Sequence, residues 1–209
     1  MIQDNLRLYA ITDPRYATKR TMVDVVEDAL KGGATMIQLR EKKMTEASFL
    51  AEAKQLASVC HRYKVPLIIN DNWRVAIQSG ADGVHLGQSD LPEDIGFLKE
   101  KHLIVGVTAK TIEQAQTAEK MGADYLGVGA LFESSTKTDA KGITFSECRD
   151  ICNSVEIPAV GIGGITKENL SELEGLPLAG VALVSAVFAA ENITENCKEL
   201  RQIIRDVIA

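Results

Sequence analysis

Short β-rich apolar runs alternate with helix-length amphipathic runs along the whole chain, and no other property restricts its fold as much. The strand-like runs are Leu6–Ile11, Thr35–Arg40, Leu67–Asn70, Gly83–Leu86, Leu103–Thr108, Tyr125–Gly129, Pro158–Ile162 and Val181–Ser185. Helical runs follow at Thr21–Lys31, Thr45–Tyr63, Trp73–Ser79, Pro92–Glu100, Thr111–Met121, Thr144–Ser154, Lys167–Leu173 and Ile193–Ile208. Strict alternation implies parallel strands joined by right-handed crossovers. Eight such units in 209 residues predict an α/β chain folded as a single-domain (β/α)8 TIM barrel over residues 1–209. An open doubly wound sheet is the competing arrangement. It often carries a glycine-rich turn after its first strand, where this chain reads Ile11-Thr12-Asp13-Pro14. An internal echo favours the barrel. Gly33-Ala34-Thr35, Gly80-Ala81-Asp82, Gly122-Ala123-Asp124 and Leu178-Ala179-Gly180 precede the even-numbered strands, as if one βαβα unit were used four times. Glycine directly after a helix reads as its C-terminal cap.

The net charge of −6 argues against a nucleic-acid-binding surface, so any cationic site is local. The longest apolar run, Val181–Ala190, falls short of the ~20 residues of a membrane helix. Met1-Ile2-Gln3-Asp4-Asn5 lacks the basic start of a signal peptide. Cys60, Cys148, Cys152 and Cys197 have neither zinc nor redox spacing and read as small buried hydrophobes. A cytoplasmic protein acting on small molecules, without nucleic acid or membrane, is the expectation; the sequence leaves its oligomeric state open.

In such a barrel the chemistry sits at the C-terminal ends of the strands. Gln38, Arg40 and Lys42 alternate at the end of strand two and share a face. If that face is the inside of the barrel, two cations there require an anionic partner; the alternative is a solvated strand end. Gly163, Gly164 and Ser185 follow strands seven and eight, where these barrels often bind phosphate, though a plain tight turn would use the same glycines. Arg40 and Lys42 are expected across the mouth from that phosphate and suggest a second anionic group. Ser134-Ser135-Thr136-Lys137 offers hydroxyls and a cation in the loop after strand six, or a solvated loop. Asp71 and Asp90 end adjacent strands and with phosphate oxygens would suit Mg2+. Alone, Asp71 also reads as a turn residue and Asp90 as the cap of a helix near Pro92. His85 reads as a packed or orienting residue. Two phosphate groups, one on a metal, are what these residues ask for.

Several runs together resemble thiamine phosphate synthase: Gln38-Leu39-Arg40-Glu41-Lys42, Ile69-Asn70-Asp71, Gly80-Ala81-Asp82-Gly83-Val84-His85-Leu86-Gly87-Gln88-Ser89-Asp90-Leu91, Ala123-Asp124-Tyr125-Leu126-Gly127-Val128-Gly129, Ser135-Thr136-Lys137 and Gly161-Ile162-Gly163-Gly164-Ile165. The resemblance implies a transferase that condenses hydroxymethylpyrimidine diphosphate with a thiazole phosphate, giving thiamine phosphate and diphosphate with Mg2+. It assigns Gln38, Leu39, Arg40, Glu41, Lys42, Asn70, Thr108 and Lys137 to the pyrimidine diphosphate. Ser134, Ser135, Thr136, Gly164, Val184 and Ser185 go to the thiazole phosphate, and Asp71 and Asp90 to the metal. The chain departs from the family pattern at Thr108-Ala109-Lys110, where Ser, a small residue and His are common, and at Glu133, where Pro is usual. Thr108 keeps the hydroxyl; Lys110 changes the charge. A related thiazole tautomerase shares the barrel but characteristically lacks parts of the diphosphate and metal set retained here.

Overall fold

A computed structural model describes residues 2–133 and 142–208. Among them eight parallel strands close into a barrel in sequence order, β1 (Leu8–Ile11), β2 (Met36–Leu39), β3 (Leu67–Asn70), β4 (Gly83–Leu86), β5 (Ile104–Ala109), β6 (Tyr125–Gly129), β7 (Ala159–Ile162) and β8 (Gly180–Leu183). β8 pairs back onto β1 through Tyr9 and Ala182. A short N-terminal turn of helix, α1 (Ile2–Asn5), precedes β1. The outer helices are α2 (Met22–Lys31), α3 (Glu46–Arg62), α4 (Trp73–Ser79), α5 (Gly96–Glu100), α6 (Ile112–Met121), α7 (Phe145–Asn153), α8 (Ser185–Phe188) and α9 (Ile193–Val207). The expected (β/α)8 barrel is present, and no described helix is long and apolar enough to cross a membrane.

The period-two alternation of each strand sorts its side chains into two cores. Leu8, Ala10, Ile37 and Leu39 face the helices and join the large outer core, whereas Tyr9, Ile11, Met36, Ile68, Tyr125, Val160 and Ala182 fill the barrel itself. Helix starts follow cap chemistry. Thr21 and Thr144 each make a full capping box, with Asp24 and Glu147, while Thr45 and Thr111 accept a backbone N–H from the first turn.

The internal echo has a physical cause at the bottom of the barrel. Gly33, Gly80 and Gly122 take left-handed conformations after their helices, with φ of 95°, 75° and 98°. The polar residue two places on then receives an N–H at the start of the strand before. Leu8 N donates to Thr35 Oγ1 over 2.9 Å, Leu67 N to Asp82 Oδ2 over 2.8 Å, and Val105 N to Asp124 Oδ2 over 2.7 Å. Leu178-Ala179-Gly180 differs. Gly180 lies inside β8 and caps no helix; a Cβ there would collide with the Leu6 carbonyl.

Two helical expectations shift. The run expected from Pro92 becomes helical only at Gly96, after Asp94 Oδ1 has accepted the Gly96 N–H over 2.7 Å. The run 167–173 contracts to a 3-10 turn, Leu170–Leu173. There Asn169 binds the preceding backbone twice, accepting from Thr166 N and donating to Gly164 O, which replaces a first helical turn.

Candidate active site

The C-terminal mouth holds a cavity of about 210 Å3 lined by Ile11, Arg40, Thr108, Lys110, Glu133 and the segment from Ile162 to Thr166, and floored by Ala182 to Ser185. It is bounded by strand ends from both sides of the β8–β1 closure. That closure corrects one expectation. Arg40 does not lie across the mouth from Gly164 and Ser185 but lines the same cavity, because β2 is only two strands from β8 in a closed sheet. Val184 caps and Ser185 starts α8, whose first N–H groups have no acceptor within the helix. Gly163 and Gly164 have φ of 95° and 65°. Space around them is already occupied by protein: a Cβ on Gly163 would strike Ala130, and one on Gly164 the carbonyls of Phe132 and Glu133. They let the β6 loop pass close, as the tight-turn alternative has it, and they line the cavity as well.

Beside the cavity, the ends of β3 and β4 bring two carboxylates together. Asp71 adopts φ of 61°, a conformation that short polar residues tolerate. Its N–H still extends the sheet, donating to His85 O over 2.8 Å. Asn72 follows as the cap of α4, accepting from Val75 N. The chain after β4 turns sharply, with Asp90 N donating to Gly87 O over 3.0 Å. Gly87 sits between the two acids; a Cβ there would be 3.1 Å from Asp90 Oδ2 and 4.0 Å from Asp71 Oδ1. Burial first, then the Asp90 charge, holds the Asp71 carboxyl above the usual carboxylate range, against the pull of the Gly87 N–H, Lys42 and Asn70. Asn70 donates to Asp71 Oδ2 over 2.5 Å and Ser89 to Asp90 Oδ2 over 3.0 Å. Asp71 is thus both a turn residue and a site carboxylate. Asp90 caps no helix, since α5 begins six residues later.

Gln38 and Thr108 occupy opposite ends of a buried hydrogen-bonded chain in the barrel. Leu39 and Glu41 are the odd members of the strand-two run. Leu39 packs into the outer core, as alternation requires. Burial, then the Asp13 charge, raises the Glu41 carboxyl against the pull of Arg40. Ser134, Ser135, Thr136 and Lys137 lie outside the described residues. The structure adds Lys110 and Glu133 to the cavity wall. Sequence reasoning had flagged both only as departures from a pattern. Their signal was position, immediately after the ends of β5 and β6.

An all-oxygen pair of carboxylates, one of them raised by burial and by the charge of the other, fits a hard divalent cation. Among the described residues no group of three or more His, Cys, Asp or Glu side chains could hold a metal. Asp71 and Asp90 would therefore share such an ion with substrate oxygens and water.

Comparison with known proteins follows the same geometry. A family model described as thiamine monophosphate synthase matches residues 8–187. The chain is 41% identical over 204 residues to the thiamine-phosphate synthase of Clostridium acetobutylicum, covering 95% of each chain. It is 41% identical over 209 residues to a bifunctional thiamine biosynthetic enzyme of Arabidopsis thaliana, 40% of whose length it spans. A solved thiamine phosphate pyrophosphorylase from Pyrococcus furiosus superposes with a TM-score of 0.90 at 37% identity, over the full length of both chains.

Proposed function

The chain belongs to the thiamine monophosphate synthase family, and from that premise we propose that its mouth joins a pyrimidinylmethyl diphosphate to a thiazole phosphate, releasing diphosphate. It is a transferase of thiamine biosynthesis that forms thiamine phosphate. The observation that carries the substrate assignment is the meeting of Asp71 and Asp90 over Gly87, within the field of Lys42 and beside a cavity that contains Arg40, Gly164 and Ser185.

These groups sort by charge. Lys42 and the Asn70 amide lie by the acids and Arg40 lines the cavity, and these three would hold the diphosphate. Gly164, Val184 and Ser185 line the same cavity as Arg40, where the backbone N–H groups at the start of α8 would suit a second phosphate. Mg2+ held by Asp71 and Asp90 would neutralise charge on the departing diphosphate. Arg40 and Lys42 add fixed positive charge where negative charge grows as the carbon–oxygen bond breaks, so the leaving group is stabilised without reorganisation. Ile11, Ile162 and Ile165 also line the cavity and would exclude water from the reacting carbon. Among the described residues no serine or cysteine is paired with a base in this cavity, and a covalent enzyme intermediate plays no part in the reading.

The test supplies both substrates to purified protein and follows diphosphate and thiamine phosphate, with Mg2+ and with a chelator. Equal, metal-dependent yields of the two products support the assignment. Binding of the thiazole phosphate without diphosphate release would overturn it.

A further inference from the structure

Five polar side chains form one continuous hydrogen-bonded chain through the barrel interior beneath the cavity. Gln38 Nε2 on β2 donates to Tyr9 Oη on β1 over 2.6 Å. The Tyr9 and Tyr125 hydroxyls are 2.8 Å apart. Tyr125 Oη is 3.0 Å from His85 Nδ1, and His85 Nε2 is 3.0 Å from Thr108 Oγ1. The chain crosses five strands and ends at the cavity wall, which Thr108 lines. The barrel is built around it. A Cβ on Gly106, directly opposite Tyr125 in the sheet, would overlap the Tyr125 ring. A Cβ on Gly127 would stand 3.1 Å from His85 Cε1. Both phenols are fully buried and burial raises them far above any working pH, so each keeps its one proton.

Donor bookkeeping gives this chain a direction. The Gln38 amide nitrogen can only donate, so the Tyr9 oxygen accepts there. The single Tyr9 proton goes to the Tyr125 oxygen, and the Tyr125 proton to His85 Nδ1. That nitrogen is therefore bare, and neutral His85 carries its hydrogen on Nε2, donating to Thr108 Oγ1. The Thr108 proton is left to point elsewhere. Were the amide turned, every proton would reverse. His85 would then carry its hydrogen on Nδ1, and Thr108 would donate back to it.

We propose that Tyr9, Tyr125 and His85 are positioning residues that form a one-way donor chain from the Gln38 amide, obliging the Thr108 hydroxyl to donate into the cavity, to an acceptor oxygen of the diphosphate-bearing substrate. The direction of the chain belongs to the free protein; the identity of the acceptor rests on the synthase reading above. With the amide in this orientation, hydrogen on both His85 nitrogens would leave Tyr9 accepting twice and one buried proton of the chain without an acceptor.

Nitrogen-15 NMR of the histidine side chains in the full, ligand-free chain reads the direction without any substrate. His85 is expected as the neutral tautomer with hydrogen on Nε2; hydrogen on Nδ1, or on both nitrogens, overturns the proposal. In Gln38→Glu, read at a pH at which the introduced carboxylate is ionised, the first donor becomes a group that only accepts, and the His85 hydrogen is expected to move to Nδ1. An unchanged tautomer in that folded variant overturns the proposal as well. Tyr125→Phe cuts the chain while leaving Gln38 and Thr108 in place. Its kcat for diphosphate release should fall on the order of tenfold while KM for the thiazole phosphate stays within about twofold. Wild-type kcat in this variant overturns the positioning role, and if it does not fold, Tyr9→Phe is read the same way. Failure of the wild-type protein to release diphosphate, with the expected tautomer intact, would count against the synthase reading and leave the direction of the chain standing.

Discussion

Single residues at this mouth divide by whether a neighbour already satisfies them. Asp71 has three attractive partners and one like charge, and the like charge is what makes a cation useful. Asp90→Asn removes that charge without changing the side-chain shape. It should lower the Asp71 carboxyl toward its ordinary value and abolish the metal dependence of diphosphate release, with turnover falling ~100-fold or more. Metal titration of the variant checks this, and an unaltered titration would remove Asp90 from the metal set. The carboxylates, cations and strand-end glycines were legible in the sequence because chemistry is concentrated at strand ends. What Gly163 and Gly164 serve was not, since a glycine letter does not say whether a ligand or another loop fills its missing Cβ. Leu39 and Glu41 were carried into the site by their motif, although alternation alone points them away from Gln38 and Arg40.

At the scale of elements, most strands and helices fell within two residues of the sequence reading, because caps and glycines mark their ends. Thr144 shows how much one cap carries. It accepts Glu147 N over 3.2 Å while its own N–H reaches Glu147 Oε2 over 2.6 Å. Thr144→Ala should cost about 1 kcal/mol, read as a shift of the urea midpoint at constant slope. The late start of α5 and the loss of a helix before β8 were not legible, since Asp94 and Asn169 override an acceptable helical pattern by binding the backbone locally. Helix α3 carries a cost of its own. Among the described residues Glu52 Oε2 and Glu41 Oε1 are buried without a hydrogen-bond partner, and burial, followed by the charge of Glu41, raises the Glu52 carboxyl. A raised folded-state value means that stability is fully present below the unfolded value and is lost as pH rises through the folded one. Glu52→Gln should therefore stabilise the protein at pH 8, with the gain shrinking as pH falls toward 4.5, the ordinary value. Thermal melts across that window check the sign.

For the molecule as a whole, the decisive event is closure of the sheet between β8 and β1. Eight alternating units predicted it. The consequence for the site, that Arg40 lies next to the β8 end, needed the ring to be closed in three dimensions. Gly180 is the tightest point of that seam, with the Leu6 carbonyl in the space of its missing side chain. Gly180→Ala should destabilise by roughly 1–3 kcal/mol, lowering the melting temperature by several degrees. Mg2+ with diphosphate should raise it, by about 2.7 kcal/mol of linkage at a hundredfold excess over Kd.

The pairing of buried rings with strand glycines bears on assembly as well as catalysis. A parallel strand displaced by two residues keeps its inward and outward faces, so alternation cannot detect that error. Here the Tyr125 ring has room only opposite Gly106, and the His85 ring only over Gly127. A two-residue slip of β6 along β5 would drive the phenol against Thr108 or Ile104 and strand its hydroxyl. The rings act as keys and the glycines as wards, so that the same fit that aims a hydroxyl at the substrate also rejects the mispaired barrel.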